Sequence, residues 1–185
     1  LGLNLCRNCY HLQLSHIVNP DLMFKNYLYI SGTTKTLRDY FDWFAEWCVE
    51  MSGKTRGKIL DIACNDGSQL NSFKNLSRET CGVDPAENLY EISSKNHNIE
   101  CGYFTGSCFG SAKFDVIIAQ NVFAHNENAI DFLKDCGEKM NDSSLLFIQT
   151  SQAEMIRNNQ FDTIYHEHLS FFNVKSFEAL ASRTP

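Results

Sequence analysis

Tyr165-His166-Glu167-His168 places two imidazoles beside a phenol and a carboxylate, inside the otherwise apolar run Phe161–Ser170. Imidazoles titrate near neutral pH, so they are the side chains best suited to taking and returning a proton. In extended backbone Tyr165 and Glu167 face one way and His166 and His168 the other; a helix or turn makes them converge differently. Two histidines and a Glu are also metal-ligand types, but the spacing is not the helical His-Glu-x-x-His arrangement. The bland alternative is a polar turn with hydrogen-bonded histidines.

A second cluster is Leu60-Asp-Ile-Ala-Cys-Asn-Asp-Gly67, followed by Gly82-Val-Asp84-Pro. Lys58–Ile62 is a short apolar run typical of a buried strand. It breaks into small, turn-forming residues, with a helix starting near Ser68. Glu79–Val83 reads as the next strand, ending in Asp84, a carboxylate placed to accept hydrogen bonds from ribose hydroxyls. Against the frame Asp-x-Gly-x-Gly-x-Gly, Ala63 and Asn65 stand for the first two glycines and Gly67 remains. Asn tolerates positive φ and Ala is small, so the turn can still form. Asp66 adds negative charge where a pyrophosphate would sit. A cofactor without phosphates suits the loop better, and S-adenosylmethionine carries a sulfonium instead. An ordinary βα turn of another α/β protein is the alternative.

Three further groups bear on chemistry. Cys6-Arg-Asn-Cys9 has zinc-knuckle spacing, but no second pair follows and His11 and His16 do not make a standard spacing with it. Two free thiols and half a metal site are both open readings. Phe24, Tyr27, Tyr29 and Ile30 are aromatic or apolar residues before the turn Ser31-Gly-Thr-Thr34; they are packing residues whose hydroxyls can also face a ligand. His125, in Gln120-Asn-Val-Phe-Ala-His125, is either a structural histidine or a reactive one.

The elements that must position these groups alternate as in a parallel-sheet domain. Leu37, Tyr40, Phe41, Phe44, Trp47, Cys48 and Met51 recur at helical steps from Thr36 to about Met51, an aromatic face explained by core packing. Ser52–Gly57 is a linker. After the Glu79–Val83 strand come a helix at 87–96, a strand at 99–103, a strongly apolar strand at 114–119, an amphipathic helix at 129–140, a strand at 145–149 and a helix from Val174. Ligands in such sheets bind beyond the carboxyl ends of the strands. That edge receives Gln120 and Asn121 as cofactor-binding candidates, His125 beside the cleft, and Thr150-Ser-Gln152.

With 185 residues and 43% hydrophobic content the chain can bury one substantial core. A net charge of −6 disfavours a nucleic-acid backbone as main partner. No apolar run reaches the roughly 20 residues of a membrane span, and no signal peptide is visible. Eight cysteines, most of them scattered through expected helices, strands and turns, read as reduced thiols of a cytoplasmic protein. The chain starts at Leu1 without Met and stops at Pro185, and is expected to be a fragment.

The CxxC with His11-Leu-Gln-Leu14, the segment Tyr27-Leu-Tyr29-Ile-Ser-Gly32, the Asp61–Gly67 loop, Asn121–His125 and Phe161–His168 occur in one order. Together they resemble the S-adenosylmethionine-dependent sugar C-methyltransferases, which methylate C-3 of nucleotide-linked 4-keto-deoxysugars. The resemblance spans almost the whole chain, and Tyr-His-Glu-His is its most specific part. It implies a remnant of a zinc-binding domain over 1–32, an aromatic helix and linker over 33–57, and a class I, Rossmann-like α/β methyltransferase domain over 58–185. The family's first zinc CxxC, last two sheet strands and sugar-binding domain are missing. Cys6 and Cys9 are then half of a Zn²⁺ site, and Asp61, Ala63, Asn65, Gly67, Asp84, Gln120 and Asn121 hold S-adenosylmethionine. By the same resemblance His168 is the base, Tyr165 and Glu167 orient it or stabilise an enolate, and His125, Tyr27, Tyr29 and His166 serve the sugar side. Other possibilities are an O- or N-methyltransferase for another small molecule, or a non-catalytic zinc- or nucleotide-binding module.

Overall fold

The computed structural model describes residues 1–184; Pro185, the last residue of the expected domain, lies outside them. The chain begins with a hairpin, β1 (Leu3–Leu5) and β2 (Leu12–Leu14), then a short helix α1 (Asp21–Phe24). Next is the long helix α2 (Lys35–Ser52). Thr34 caps its start by accepting from the Leu37 N–H, and Gly53, at φ 61°, closes its end. Phe41, Phe44, Ala45 and Cys48 form its buried face, and Phe44, Ala45 and Cys48 pack on Ile59, Phe73, Val116 and Ile118.

The sheet domain follows as β3 (Lys58–Ile62), α3 (Ser68–Asn75), β4 (Glu79–Asp84), α4 (Glu87–Ser93), β5 (Asn98–Cys101), β6 (Phe114–Gln120), α5 (Ala129–Glu138) and β7 (Met140–Gln149). The strands are parallel in the order β5-β4-β3-β6-β7. The central strands read as near-continuous apolar runs because helices cover both faces. The chain steps outward from β3 to β5, then returns to lay β6 on the other side of β3. Their carboxyl ends therefore diverge at a switch point, where such sheets bind ligands. The expected strand at 145–149 is longer: β7 starts at Met140, and its register to β6 shifts between Phe114 and Val116. There the Ser144 hydroxyl donates to the Phe114 carbonyl. Polar Asn141–Ser144 conceal this edge-strand start in the sequence.

The second sheet was not legible in the sequence. β8 (Ser170–Phe171) pairs antiparallel with β2, making a second sheet β1-β2-β8. Leu12, Leu14, Met155, Leu169 and Phe171 bury together under it, and α6 (Val174–Ala181) follows with an Asn173–Ser176 capping box. The amino-terminal hairpin is thus joined to the segment that carries His168. Phe171 is fully buried at this junction. Phe171→Ala is expected to cost about 3–5 kcal/mol of stability, read as a lowered urea midpoint with little change in slope.

Candidate active site

The β3–α3 turn carries left-handed backbone at Ala63 (φ 64°), Asn65 (φ 53°) and Gly67 (φ 79°), the three frame positions expected to need it. Only Gly67 is strain-free; a side chain there would also crowd His97 and Ser93. Ala63 N–H donates to the Val83 carbonyl at 2.8 Å, tying the turn to β4. The Asn65 N–H donates to Asp84 Oδ2 at 2.8 Å, and the Ala86 N–H to Asp84 Oδ1 at 2.8 Å. The Asn65 side chain clasps the preceding loop, donating to the Tyr29 carbonyl at 3.0 Å and accepting from the Ser31 N–H at 2.9 Å. Asp66 accepts from the Ser68 and Gly32 N–H groups and from the Ser68 hydroxyl. A Cβ on Gly32 would overlap that hydroxyl. The carboxylate expected to repel a pyrophosphate therefore occupies the donors that would bind one.

Above this turn lies a cavity of about 600 Å³. Its wall includes Asp61, Ala63, Asn65, Asp84, Gln120, Asn121, Tyr27, Tyr29, His125, Tyr165 and His168. Among the described residues its lining has three acids, Asp61, Asp84 and Glu127, and no Lys or Arg. Burial pushes the Asp61 carboxyl well up, helped by the neighbouring carboxylates Asp84 and Asp66. Burial also raises Asp84, against the pull of the Ala86 and Asn65 amides. A phosphate has no cationic partner here, whereas a cationic ligand offsets the acids.

One corner was missed in the sequence. The Tyr40 hydroxyl accepts from Gln120 Nε2 at 3.1 Å and donates to Gln149 Oε1 at 3.3 Å, and Gln120 also donates to Gln149 at 3.1 Å. Gln69 lines the same region and donates to the Phe41 carbonyl at 3.0 Å. Tyr40 was assigned to core packing by periodicity; its hydroxyl was the one signal that it reaches a wet edge.

The Tyr165–His168 segment is a turn, closed by the His168 N–H on the Tyr165 carbonyl at 3.2 Å. Extended alternation is not what forms, so Tyr165 and His168 converge, with ring centroids 4.4 Å apart. Leu169 N–H donates to the Ala124 carbonyl at 2.9 Å, setting the His125 and His168 rings 5.2 Å apart. Nδ1 of His168 lies 2.9 Å from the Thr163 carbonyl and 3.3 Å from Ser151 Oγ. A carbonyl only accepts, so the proton sits on Nδ1 and Nε2 keeps its lone pair, 3.2 Å from the Tyr165 hydroxyl. Burial lowers the His168 pKa, leaving it neutral at pH 7. His125 stacks on Phe24 at 5.5 Å. Burial, with His168 nearby, pushes it down to about 4, and its Nε2 is buried without a partner among the described residues. Tyr27 donates to Glu167 Oε2 at 3.1 Å, so Glu167 reaches the cavity only through that phenol. His166 is exposed and does not line the cavity, contrary to its expected place on the sugar side.

Cys6 and Cys9 occupy the β1–β2 connection. N–H groups of Cys9 and Asn8 on the Cys6 sulfur hold its thiol below the ordinary range. Among the described residues no cluster of three His, Cys, Asp or Glu could hold a metal. His11 pairs with Ser170 and His16 with Ser15. Among the described residues the expected Zn²⁺ half-site gains no further ligand.

Residues 33–184 match the family model described as Methyltransferase domain. The chain belongs to that family. This methyltransferase domain is 28% identical over 186 residues to C-methyltransferase NovU of Streptomyces niveus, covering 95% of the chain and 44% of that protein. It is 32% identical over 114 residues to the mitochondrial ubiquinone biosynthesis O-methyltransferase of Schizosaccharomyces pombe, covering 57% of the chain and 40% of that protein. The chain thus spans less than half the length of either relative. Its fold matches the plantazolicin methyltransferase BpumL solved with SAH, at TM-score 0.63 and 21% identity, over 76% of this chain and 60% of that one. The expected class I methyltransferase sheet is therefore the observed one.

The depressed His125 pKa has a stability consequence. Folded His125 refuses a proton that the unfolded chain accepts below its ordinary value of 6.5, so stability is full above pH 6.5 and falls as pH drops toward 4. Between pH 7 and 4.5 the wild type should lose roughly 2–3 kcal/mol more than His125→Gln, measured by urea unfolding at both pH values.

Proposed function

We propose that the protein uses S-adenosylmethionine to methylate a carbon α to the ketone of a nucleotide-linked deoxysugar. One observation carries this reading: His168, neutral and with its lone pair on Nε2, faces the same cavity as the Asp61–Asp84 cofactor loop. O- and N-acceptors need less, because their own lone pair attacks; carbon must first be deprotonated to an enolate. Bound there, S-adenosylmethionine supplies an electrophilic methyl group on a positively charged sulfur. Asp84 offers its remaining lone pairs to the ribose, and Asp61 lies at the methionine end. His168 Nε2 takes the α-proton. The Tyr165 hydroxyl, which donates to Nε2 at rest, then turns to the developing enolate oxygen. Glu167 holds Tyr27 in the sugar wall, and His125 presents a neutral ring rather than a competing cation. An uncharged keto-sugar ring suits a cavity without Lys or Arg, so the diphosphate of the substrate is held outside this wall.

The amino-terminal hairpin fits one lobe of a zinc segment over 1–32, with Cys6 and Cys9 as two of four ligands and the others from outside this chain. Residues 33–57 then join it to the methyltransferase domain, and the protein works in the cytoplasm on a small molecule. A second reading, O-methylation, is favoured by the 32% identity to an O-methyltransferase, though over 57% of the chain. Product fragmentation in a mass spectrometer separates an O-methyl group from a new carbon–carbon bond.

Losing a ribose–carboxylate hydrogen bond removes about 1.5–3 kcal/mol, so Asp84→Ala should weaken S-adenosylmethionine binding tenfold or more in calorimetry. His168→Asn should leave that affinity within a few-fold. Methyl transfer to a 4-keto sugar nucleotide should fall by ~10²-fold or more. Exchange of the sugar α-proton with deuterated solvent should vanish with it. A His168→Asn protein that methylates at the wild-type rate would falsify the assignment of the base.

A further inference from the structure

Replacing hydrogen by methyl on carbon leaves a proton over. The C–H bond breaks and its electron pair forms the new C–C bond. The S–CH₃ bond breaks with its pair staying on sulfur, and one proton is released per turnover. If His168 is the base, as proposed above, that proton first sits on Nε2, facing a cavity then filled by substrate and cofactor. The ring becomes an imidazolium, and its side away from the substrate is Nδ1.

Nδ1 has two neighbours. The Thr163 carbonyl holds the proton but cannot hand one on. Ser151 Oγ, 3.3 Å away, can accept one and donate its own. Both Ser151 and Thr163 also line a second, smaller cavity of about 250 Å³, together with Gln152, Glu154, Asn158 and Gln160. Those last four are exposed, so this cavity opens on the protein surface, and Glu154 is the one acid on its wall. Ser151 is anchored by its own carbonyl, which accepts from the Phe172 N–H at 3.1 Å just beyond β8. His168 therefore lies between the reaction cavity and a polar cleft.

We propose that Ser151 is a positioning and relay residue, passing the His168 Nδ1 proton into the second cavity while product is still bound. In doing so it restores a neutral ring while the reaction cavity is still occupied. The ionisable groups around His168 are Tyr165 and Glu167 on its own turn, His125 from the segment after β6, and Tyr27 behind Glu167. Neither histidine nor phenol among them leads to the surface through the second cavity.

The test is a single turnover of the whole protein saturated with S-adenosylmethionine. A nucleotide-linked 4-keto-deoxysugar is mixed in under dilute buffer with a pH-indicator dye, and methylated product is quenched in parallel. In the wild type the proton should appear with the rate constant of methylation. In Ser151→Ala methylation should slow about tenfold or more, and the proton should appear only with product release. KM for S-adenosylmethionine should stay within twofold. Ser151→Thr, which keeps a hydroxyl, should restore both, which packing repair alone would not do for proton timing. Proton release in step with methylation in Ser151→Ala, or release lagging methylation in the wild type, overturns the exit. A wild type that neither methylates nor exchanges the sugar α-deuterium overturns the base itself.

Discussion

Two carboxylates, Asp61 next to the end of β3 and Asp84 at the end of β4, line one cavity whose wall carries no Lys or Arg among the described residues. Burying acids without cations is costly, and both have their pKa raised by it. Asp84 is relieved by two amide donors, whereas Asp61 has no such donor among the described residues. The backbone around them follows from this constraint. The turn takes left-handed conformations at Ala63 and Asn65 so that the Asn65 amide reaches Asp84. A ligand that brings positive charge and hydroxyl donors completes what the chain leaves incomplete, and stabilises the folded state by mass action as it does so.

The reactive half depends on a different device. His125 and His168 are far apart in sequence and meet because Leu169 hydrogen-bonds to Ala124, while β8 pairs with the amino-terminal β2. His168 is thus held from three sides: by Thr163 on its ring, by Ala124 through the next backbone amide, and by the hairpin through Ser170 and Phe171. The hairpin that carries Cys6 and Cys9 is in this sense part of the scaffold of the active site.

This division explains what could be read in advance. β3, the start of α3, β4 and the acid at its end were legible because their chemistry is local: apolar runs, a turn with small residues, and a carboxylate one unit later. All three left-handed positions lay on the expected frame. The Tyr165–His168 turn was visible as a cluster but not as a shape, since residue types alone do not choose between strand alternation and a turn. His166 was therefore grouped with its neighbours, although the turn leaves it exposed. β8 spans two residues and its pairing with β2 crosses almost the whole chain, so no window of sequence could carry it. Tyr40 was hidden by its company, being one aromatic on a helix face whose Phe41 and Phe44 are buried.

The two halves also differ in what a substitution does to them. On the cofactor side the functional atoms are mostly backbone amides and two carboxylates, so the turn tolerates Ala and Asn where other sequences of this frame have glycine, provided the path of the chain persists. On the side of the Tyr165–His168 turn the geometry rests on single side-chain atoms. The tautomer of His168 follows from one carbonyl, Thr163, and the reach of Glu167 from one phenol, Tyr27. A change of acceptor chemistry is therefore expected to arise in residues 161–171 and in the loop bearing Tyr27. The sheet and its turn can stay as they are, because the proton abstraction proposed for His168 demands close placement of one ring nitrogen, while the turn is set by the path of the backbone.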